Sequence, residues 1–198
     1  HSNKFCRISD MPIDERLVFC EGKHVRLKAL SAQDVIESGW VGWFNDKEMS
    51  EHNQHHYFPN TVEHQHEFLK SCISPSKLQL GIIDRSDDAK ICGVVSLNDI
   101  DLIHRHAEIA GIQEKSKTRS NPALFLEAWT LMLRHGFEQL GLQKILGGTF
   151  HPHVAGALTR MFNFEVEGIR RRQVFKDNKY QDITLVAVFN DTVRYPDI

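Results

Sequence analysis

Residues 107–142 read AEIAGIQEKSKTRSNPALFLEAWTLMLRHGFEQLGL, and this segment carries the clearest structural signals of the chain. Ala107–Ile112 is a β-rich run, and a polar loop is predicted over Glu114–Asn121. Pro122–Leu140 is then predicted as a helix, with proline at its first position, where a missing N–H costs little. This helix is apolar almost all round, with a polar stripe that includes Glu127, which indicates a buried central helix beside a sheet.

The flanking sequence predicts further strands and helices on both sides of this segment. Ser31 precedes a helical apolar pattern and has Asp34 three residues on, which is the arrangement of an N-terminal cap. The predicted elements are strands on either side of Glu21-Gly22, one helix from Ser31 through Phe44, a helix from Thr61, strands over 78–83 and 91–97, a strand over 145–150, a helix over 154–162 and a hairpin over 172–189. Together they predict one α/β (α+β) domain, in which helices flank a mixed, mostly antiparallel central sheet.

Composition and charge exclude several classes of protein. The 198 residues carry 24 Lys and Arg against 26 Asp and Glu, a formal net charge of -2, so no broad positive field attracts nucleic acid or anionic lipid. No apolar run approaches the roughly 18 residues of a membrane span, and no signal peptide is recognised. The four cysteines, Cys6, Cys20, Cys72 and Cys92, are scattered without a CxxC pair. We therefore expect a cytoplasmic protein with reduced thiols and no nucleic-acid or membrane partner.

Several short motifs, in their order and spacing, point to one superfamily. They are Val25-Arg26-Leu27, Trp43-Phe44-Asn45-Asp46, Cys92-Gly93-Val94, Ala107-Glu108-Ile109, Glu127-Ala128, Phe137–Leu142, Phe164–Gly168 and Tyr180-Gln181-Asp182. With these motifs the chain resembles the GCN5-related N-acetyltransferase (GNAT) superfamily, in the branch of ribosomal-protein N-terminal, spermidine and amino-sugar acetyltransferases. The resemblance implies a domain over 23–190, an N-terminal extension with the first hairpin strand over 1–22, and a tail over 191–198.

The resemblance also implies acetyl-CoA as co-substrate and a central sheet that splays between the fourth and fifth family strands. The pantetheine arm would lie in that gap against the backbone of Ala110, Gly111 and Ile112. The diphosphate would bind at the following loop and helix start, where unpaired N–H groups attract phosphate. The residues expected to hold it are Lys117, Thr118, Arg119, Ser120, Asn121 and Ala123.

This loop departs from the glycine-rich family pattern. Asn121 replaces the first glycine, although asparagine tolerates positive φ better than other non-glycine residues, and Pro122 removes a donor. Lys115, Lys117 and Arg119 could offset the weaker capture by backbone amides with side-chain charge. The alternative is a solvated basic loop that ends at the proline.

Glu108 is the first candidate for the general base. The resemblance places it in the strand that faces the thioester, and a carboxylate that is partly buried in a sheet has a raised pKa. The alternative is an edge-strand glutamate paired with Arg105 or a nearby lysine.

Two histidines are the other catalytic candidates. Relatives often carry an Asn and, seven residues later, a Tyr that can protonate the departing thiolate, but Pro152 and Thr159 stand there in this chain. His151 and His153 could replace that pair, because imidazole titrates near neutral pH. The alternative is that both are polar residues of a surface turn.

The acceptor amine is expected to contact residues from two segments. The resemblance places Asn53, His55 and Tyr57 over the acceptor groove, while Arg170 and Arg172, on one side of a regular strand, could hold a phosphate-bearing acceptor. A charged edge strand is the alternative for the arginines. No metal is expected, because the histidines between 52 and 66 lack the spacing of a zinc site.

These observations favour an acetyl-CoA-dependent N-acetyltransferase that transfers the acetyl group directly to a primary amine. The arginine run favours a small-molecule acceptor such as an amino sugar or a nucleotide-linked amino sugar. A protein N-terminal or polyamine acetyltransferase is the alternative within the superfamily. A non-catalytic binding or interaction protein with the same fold is the alternative from another class. A homodimer is left open.

Overall fold

The computed structural model describes residues 14–72, 74–87 and 90–198. Residues 1–13 of the predicted N-terminal extension, with Cys6, lie outside this part of the chain. The described residues form one open sheet of eight strands in the order β1-β2-β3-β4-β5-β6-β8-β7. The strands are β1 (Val18–Glu21), β2 (Val25–Ala29), β3 (Leu78–Asp84), β4 (Gly93–Asp101), β5 (His106–Gln113), β6 (Lys144–Thr149), β7 (Glu165–Lys176) and β8 (Lys179–Phe189). All neighbouring strands are antiparallel except β5 and β6, which are parallel, so the predicted mixed sheet is confirmed.

Six α-helices accompany the sheet in the described residues: α1 (Ala32–Glu37), α2 (Trp40–Asn45), α3 (Val62–Ser71), α4 (Lys115–Ser120), α5 (Ala123–Arg134) and α6 (Val154–Phe162). The single helix predicted from Ser31 to Phe44 is wrong, because Ser38 adopts an extended conformation and its Oγ accepts a hydrogen bond from the backbone N–H of Trp40. Ser38 therefore ends α1 as its C-cap, and α2 begins anew after Gly39. The predicted capping box of Ser31 and Asp34 is confirmed.

Two apolar clusters cover the two faces of the sheet. The larger lies between the sheet and α5, where Leu124, Ala128, Met132 and Leu133 of the helix are buried. The smaller is built from residues of α1 and α2, such as Trp40 and Trp43, against the opposite face. The helix predicted to run to Leu140 is α-helical only to Arg134 and continues as a π-helical turn over His135–Gln139. α5 is the buried central helix that the sequence predicts.

Glu127 is not part of a solvated stripe. Its side chain is buried, and its carboxylate accepts hydrogen bonds from the backbone N–H groups of Lys23 (2.6 Å), His24 (2.7 Å) and Val25 (2.9 Å). A Cβ atom at Gly22 would lie 2.5 Å from the carboxyl carbon of Glu127, so any other residue there would displace this carboxylate. One carboxylate of α5 therefore fixes the turn between β1 and β2.

Two further features bear on the sequence-based expectations. None of the helices in the described residues has the length and hydropathy to cross a bilayer. Cys20, Cys72 and Cys92 are free thiols, and burial raises the pKa of Cys20 and of Cys92 to about 11.

Candidate functional site

The two parallel strands in the middle of the sheet separate after a short stretch of pairing. β5 and β6 pair at His106, Ala107 and Glu108, while on its other side β5 stays paired with β4 as far as Gln113. Beyond Glu108 the edge of β5 that faces β6 therefore opens into a gap. This is the splayed sheet that the family resemblance implies.

The gap exposes a strand that would otherwise be covered. Ala110 and Gly111 lie near the middle of β5 and are exposed, whereas Val95 and Ser96, their partners on β4, are buried. Gly147 and Gly148 of β6 place no side chain into the opposite wall. An extended chain with amide groups fits between the free backbone edge of β5 and the glycines of β6. Such a chain can hydrogen-bond to the edge of β5 as an added strand.

A cleft of about 1140 Å³ extends from this gap to the segment between α2 and α3. Its lining includes these residues predicted for the site: Asn53, His55, Tyr57, Glu108, Ala110, Gly111, Ile112, Thr118 and His151. The other predicted site residues are not part of that lining: Lys117, Arg119, Ser120, Asn121, Ala123, His153, Arg170 and Arg172. The structure therefore brings together the acceptor, base and pantetheine candidates, but it separates them from most of the diphosphate candidates.

Glu108 stands at the point where β5 and β6 separate. Because β5 is a central strand, the alternative of an edge-strand glutamate is wrong. Within the described residues its carboxylate has no hydrogen bond or ion pair, including none to Arg105. Partial burial raises the pKa of Glu108, the charge of Asp99 raises it further, and Arg170 acts in the opposite direction. A carboxylate of this kind can accept a proton nearer to neutral pH than an exposed glutamate can.

His151 lies on the same cleft, directly after β6. The backbone N–H of His153 donates a hydrogen bond of 3.1 Å to its Nδ1. In neutral His151 the proton is therefore on Nε2, which makes this nitrogen the hydrogen-bond donor of the ring. Burial lowers the pKa of His151, and the nearby rings of His52 and His153 lower it further, which favours the neutral form.

The remaining candidates in this region do not reach the cleft. The ring of His153 is centred 5.8 Å from that of His151 and is not part of the cleft lining, while its backbone N–H bonds to the His151 ring. The hydroxyl of Thr159 donates to the carbonyl of Ala155 within α6. The absence of the family tyrosine is thus not compensated by this threonine.

The predicted polar loop over Glu114–Asn121 is wrong, because six of its residues form α4. The N–H of Thr118 bonds to the carbonyl of Glu114 (3.0 Å), and that of Asn121 bonds to the carbonyl of Lys117 (2.8 Å). Asn121 has φ -146° and does not use the left-handed conformation considered for it. Backbone amides that a glycine-rich loop would leave free for a diphosphate are therefore used within a helix.

The cations of this segment are paired with carboxylates. Lys115 lies 2.5 Å and Arg119 lies 3.2 Å from Oε1 of Glu48. Lys117 lies 3.0 Å from Asp84 and 3.2 Å from Asp87. The lysine and arginine beside Glu48 lower the pKa of its carboxyl group. The positive charge expected to hold the diphosphate is already balanced by the protein, so this part of the co-substrate fits less well than the pantetheine arm.

Arg170, Arg171 and Arg172 do not alternate along a regular strand. The register between β7 and β8 shifts after Arg170, and Arg172 has φ 52° with its N–H bonded to Oδ1 of Asp182 (2.7 Å). The expectation that Arg170 and Arg172 share one strand face is therefore wrong. Arg170 still influences the cleft, because its charge acts on Glu108.

Polar residues near Glu108 were missed in the sequence. Asn98 of β4 is paired with Glu108, and its Nδ2 donates to Oγ of Ser96 (3.0 Å). Nε2 of Gln79 on β3 lies 3.4 Å from Oδ1 of Asn98. The signal was available, since Ser96 and Asn98 are alternate polar residues in an apolar strand and so share one face.

The histidine-rich segment shows no metal arrangement. Among the described residues, no group of three or more His, Cys, Asp or Glu side chains is placed to hold a metal ion. The ring of His52 is centred 4.3 Å from that of His151, and His55 packs against Phe44 at 4.4 Å. These histidines therefore contribute to the wall of the cleft.

Comparisons with known proteins agree with this geometry. Residues 24–156 match the family described as acetyltransferase (GNAT) domain. A spermidine N-acetyltransferase from Vibrio cholerae, solved with CoA and spermine, is similar with 19% identity and a TM-score of 0.75 over 86% of this chain and 98% of that one. A structure described as a probable acetyltransferase has 17% identity and a TM-score of 0.74 over 86% and 96% of the two chains. A comparison with curated protein sequences gives no match.

Proposed function

Since this chain belongs to the acetyltransferase (GNAT) domain family, it is an acetyl-CoA-dependent acetyltransferase, and we propose that it acts directly on the primary amine of a small molecule. We propose an amino sugar as the acceptor. The observation that carries the mechanism is the gap between β5 and β6 with Glu108 at its start. A thioester arm in this gap would present its carbonyl group to an amine in the cleft.

The co-substrate supplies an activated acetyl group, and the protein positions it. The backbone of Ala110, Gly111 and Ile112 holds the pantetheine arm as an added strand. Lys117, Thr118, Arg119, Ser120, Asn121 and Ala123 remain the candidates for the diphosphate, with the cations released from their carboxylate partners on binding. Holding amine and thioester together accounts for a large part of the rate enhancement.

Glu108 and His151 then handle the protons. Glu108, directly or through water, takes the proton of the ammonium group, so that the free amine attacks the thioester carbonyl carbon. Nε2–H of His151 donates a hydrogen bond to the negative charge that develops as the carbon–sulfur bond breaks. His153 holds the His151 ring in the tautomer that allows this. The attacking nitrogen loses its second proton to solvent as the tetrahedral intermediate collapses to the amide, and the departing thiolate takes up a proton from solvent.

The composition of the acceptor side supports an amino sugar. Side-chain amides can bond to sugar hydroxyl groups as donor and acceptor, while aromatic rings pack against the apolar faces of a sugar ring. The amides that line the cleft are Asn53, Gln54, Asn60, Gln65, Gln79, Asn98 and Gln113, and the aromatic residues include Phe44, Tyr57, Phe58 and Phe150. A free amino sugar is favoured over a nucleotide-linked one, because Arg170 and Arg172 do not line the cleft.

A polyamine is the second candidate acceptor. Glu48, Glu51 and Glu108 contribute carboxylates to the lining, and carboxylates attract a cationic chain. The similar structure from Vibrio cholerae contains spermine. The amides outnumber these carboxylates in the lining, which is why the amino sugar is placed first.

Thiol release from acetyl-CoA with a panel of amines tests the proposal. The panel contains an amino sugar, spermidine and a peptide with a free N-terminus, and we expect the fastest release with the amino sugar. Faster release with spermidine or with the peptide would contradict that acceptor class and favour the other. A protein that binds acetyl-CoA gains about 2.7 kcal/mol of unfolding free energy at a hundred times the dissociation constant. No release and no stabilisation would support the non-catalytic alternative.

A further inference from the structure

Lys176, the last residue of β7, is nearly buried, with 9% of its surface exposed. Its ammonium group donates hydrogen bonds to three backbone carbonyls of one segment, those of Ser50, Asn53 (2.7 Å) and His55 (3.0 Å). Burial lowers the pKa of this ammonium group, and the neighbouring Asp177 opposes that effect. A buried cation at the tip of one hairpin therefore holds the backbone of a segment more than a hundred residues earlier.

Two more contacts join the same segment to the same hairpin. The hydroxyl of Tyr57 donates to the carbonyl of Phe175 (3.0 Å), and Nζ of Lys47 lies 3.9 Å from Oδ1 of Asp177. The ammonium of Lys176 also lies 5.4 Å from the centre of the Tyr57 ring, within the range of a cation–π interaction. We call the contacts of Lys47, Tyr57 and Lys176 across these two segments the hairpin clamp.

The clamped segment is a wall of the cleft. Residues 51–60 all contribute to the lining, and they face the same space as Glu108. His56 in this segment has φ 67°, in the left-handed region, directly after the carbonyl of His55 that Lys176 binds. Such a conformation persists where the surrounding structure holds it. The clamp therefore sets the backbone shape of the wall and not only its distance from the sheet.

The chemistry of the clamp favours a positioning role over charge neutralisation. Within the described part of the chain, no carboxylate oxygen lies within 4.0 Å of the Lys176 ammonium group. Three carbonyls from Ser50, Asn53 and His55 instead converge on one nitrogen, which defines their relative positions. Without the ammonium group, these carbonyls would lose their shared donor, and a buried polar group without a partner is costly.

We propose that Lys176 is a positioning residue for the acceptor amine. Through the carbonyls of Ser50, Asn53 and His55 it holds the wall in the shape that directs the amine to the thioester beside Glu108. The inference rests on the proposed function, because it concerns the amine side of that reaction. It goes beyond that function by assigning the positioning of the acceptor to a residue of the edge strand β7, outside the cleft lining.

The test compares Lys176→Met with Lys179→Met, which removes an exposed lysine from the same hairpin. Two quantities are measured, the KM values for amine and acetyl-CoA and the amide hydrogen exchange of residues 46–60. We expect Lys176→Met to raise the KM for the amine about tenfold or more while that for acetyl-CoA stays unchanged, since small misplacements of reacting groups have large effects. Exchange should accelerate in residues 46–60 and not in β4 or β5.

Equal effects of the two variants would overturn the proposal, as would an equal rise of both KM values in Lys176→Met. Tyr57→Phe, which removes one contact of the clamp from an exposed side chain, keeps the proposal testable if Lys176→Met fails to fold. It should accelerate exchange in residues 50–56 without any amine present, and unchanged exchange there would count against the clamp.

The exchange measurement also separates this inference from the proposed function. If the wild-type protein acetylates no amine of the panel, the proposed function fails, but exchange still reports on the clamp. Faster exchange of residues 46–60 in Lys176→Met then supports its structural part, and unchanged exchange refutes it.

Discussion

Beside the wall proposed for the acceptor (the acceptor end), one buried ammonium group is surrounded by neutral carbonyls, whereas in the segment proposed for the diphosphate (the diphosphate end) three more exposed cations are paired with carboxylates. Lys176 bonds to the backbone of Ser50, Asn53 and His55. The cations at the other end are Lys115, Lys117 and Arg119, with Glu48, Asp84 and Asp87 as partners. Both ends use positive charge, but with different partners.

The different partners imply that the wall held by Lys176 is preformed, whereas the proposed diphosphate segment would have to rearrange on binding. A cation among carbonyls fixes the backbone before any ligand arrives, so binding of the amine costs little reorganisation. In the proposed binding mode, the paired cations would exchange their carboxylate partners for phosphate oxygens, which reduces the net gain from binding. We therefore expect acetyl-CoA to be held mainly by its pantetheine arm.

The largest effect is expected from Glu108, which lies between the two ends. Glu108→Gln should lower kcat by about a hundredfold to ten-thousandfold, because general acid–base catalysis contributes this much. Steady-state kinetics should show little change in the KM for acetyl-CoA. A wild-type kcat in this variant would show that Glu108 is not the general base. The reaction would then not take place between these two ends.

The pH dependence of kcat/KM is a second test of Glu108 as the general base. Burial and Asp99 raise the pKa of Glu108, and the base must be ionised to accept a proton. The value of kcat/KM should therefore rise with pH through a pKa above that of an exposed glutamate. Glu108→Gln should remove this rise, and a pH profile that is identical in variant and wild type would contradict the assignment.

Both ends belong to the same folded domain, and a substitution of Glu127 tests what stabilises that domain. Glu127→Gln should lower the free energy of unfolding by about 2–4 kcal/mol, because three backbone N–H groups lose a charged acceptor. Chemical denaturation measures this loss. Glu138→Gln is the matched control, since Glu138 is exposed on the helical turn that continues α5. Equal stability of the two variants would show that the Glu127 contacts contribute little.

A smaller effect is expected at the diphosphate end itself. Glu48→Gln removes the partner of Lys115 and Arg119, so CoA should bind about two- to fivefold more tightly, in line with the energy of exposed ion pairs. Acetyl-pantetheine, which lacks the diphosphate, should bind unchanged. Glu67→Gln, at an exposed position of α3, is the control for the change in net charge. Calorimetric titration measures the dissociation constants of CoA and acetyl-pantetheine. Equal changes of the two constants would contradict the exchange of carboxylate for phosphate partners.

The sequence predicted the parts of the site that depend on pattern. Alternation and turn residues predict the succession of strands along the chain, and the resemblance carried by motifs such as Ala107-Glu108-Ile109 implies the gap, which the structure confirms. The same patterns failed at Lys115–Ser120, where a lysine- and serine-rich run before a proline is typical of a loop but forms α4. Local composition does not record that Glu48, Asp84 and Asp87 neutralise this segment from elsewhere in the chain.

Long-range contacts to the backbone were beyond sequence reasoning. Lys176 stands in a charged hairpin and looks like any solvated lysine, because its partners are carbonyl groups that every residue has. Glu127 gives the same lesson, since the N–H groups it binds carry no side-chain signal. Arg172 is a third case, in which a strand pattern conceals an irregular register.

Amide hydrogen exchange of β5 with and without acetyl-CoA tests the central claim most directly. If the pantetheine arm binds along the free edge of β5, exchange of the amides in Ile109–Ile112 should slow when acetyl-CoA is added, while that of β1 and β2 stays the same. Unchanged exchange across Ile109–Ile112 at saturating acetyl-CoA would contradict the account, because the gap would then not be where the co-substrate lies.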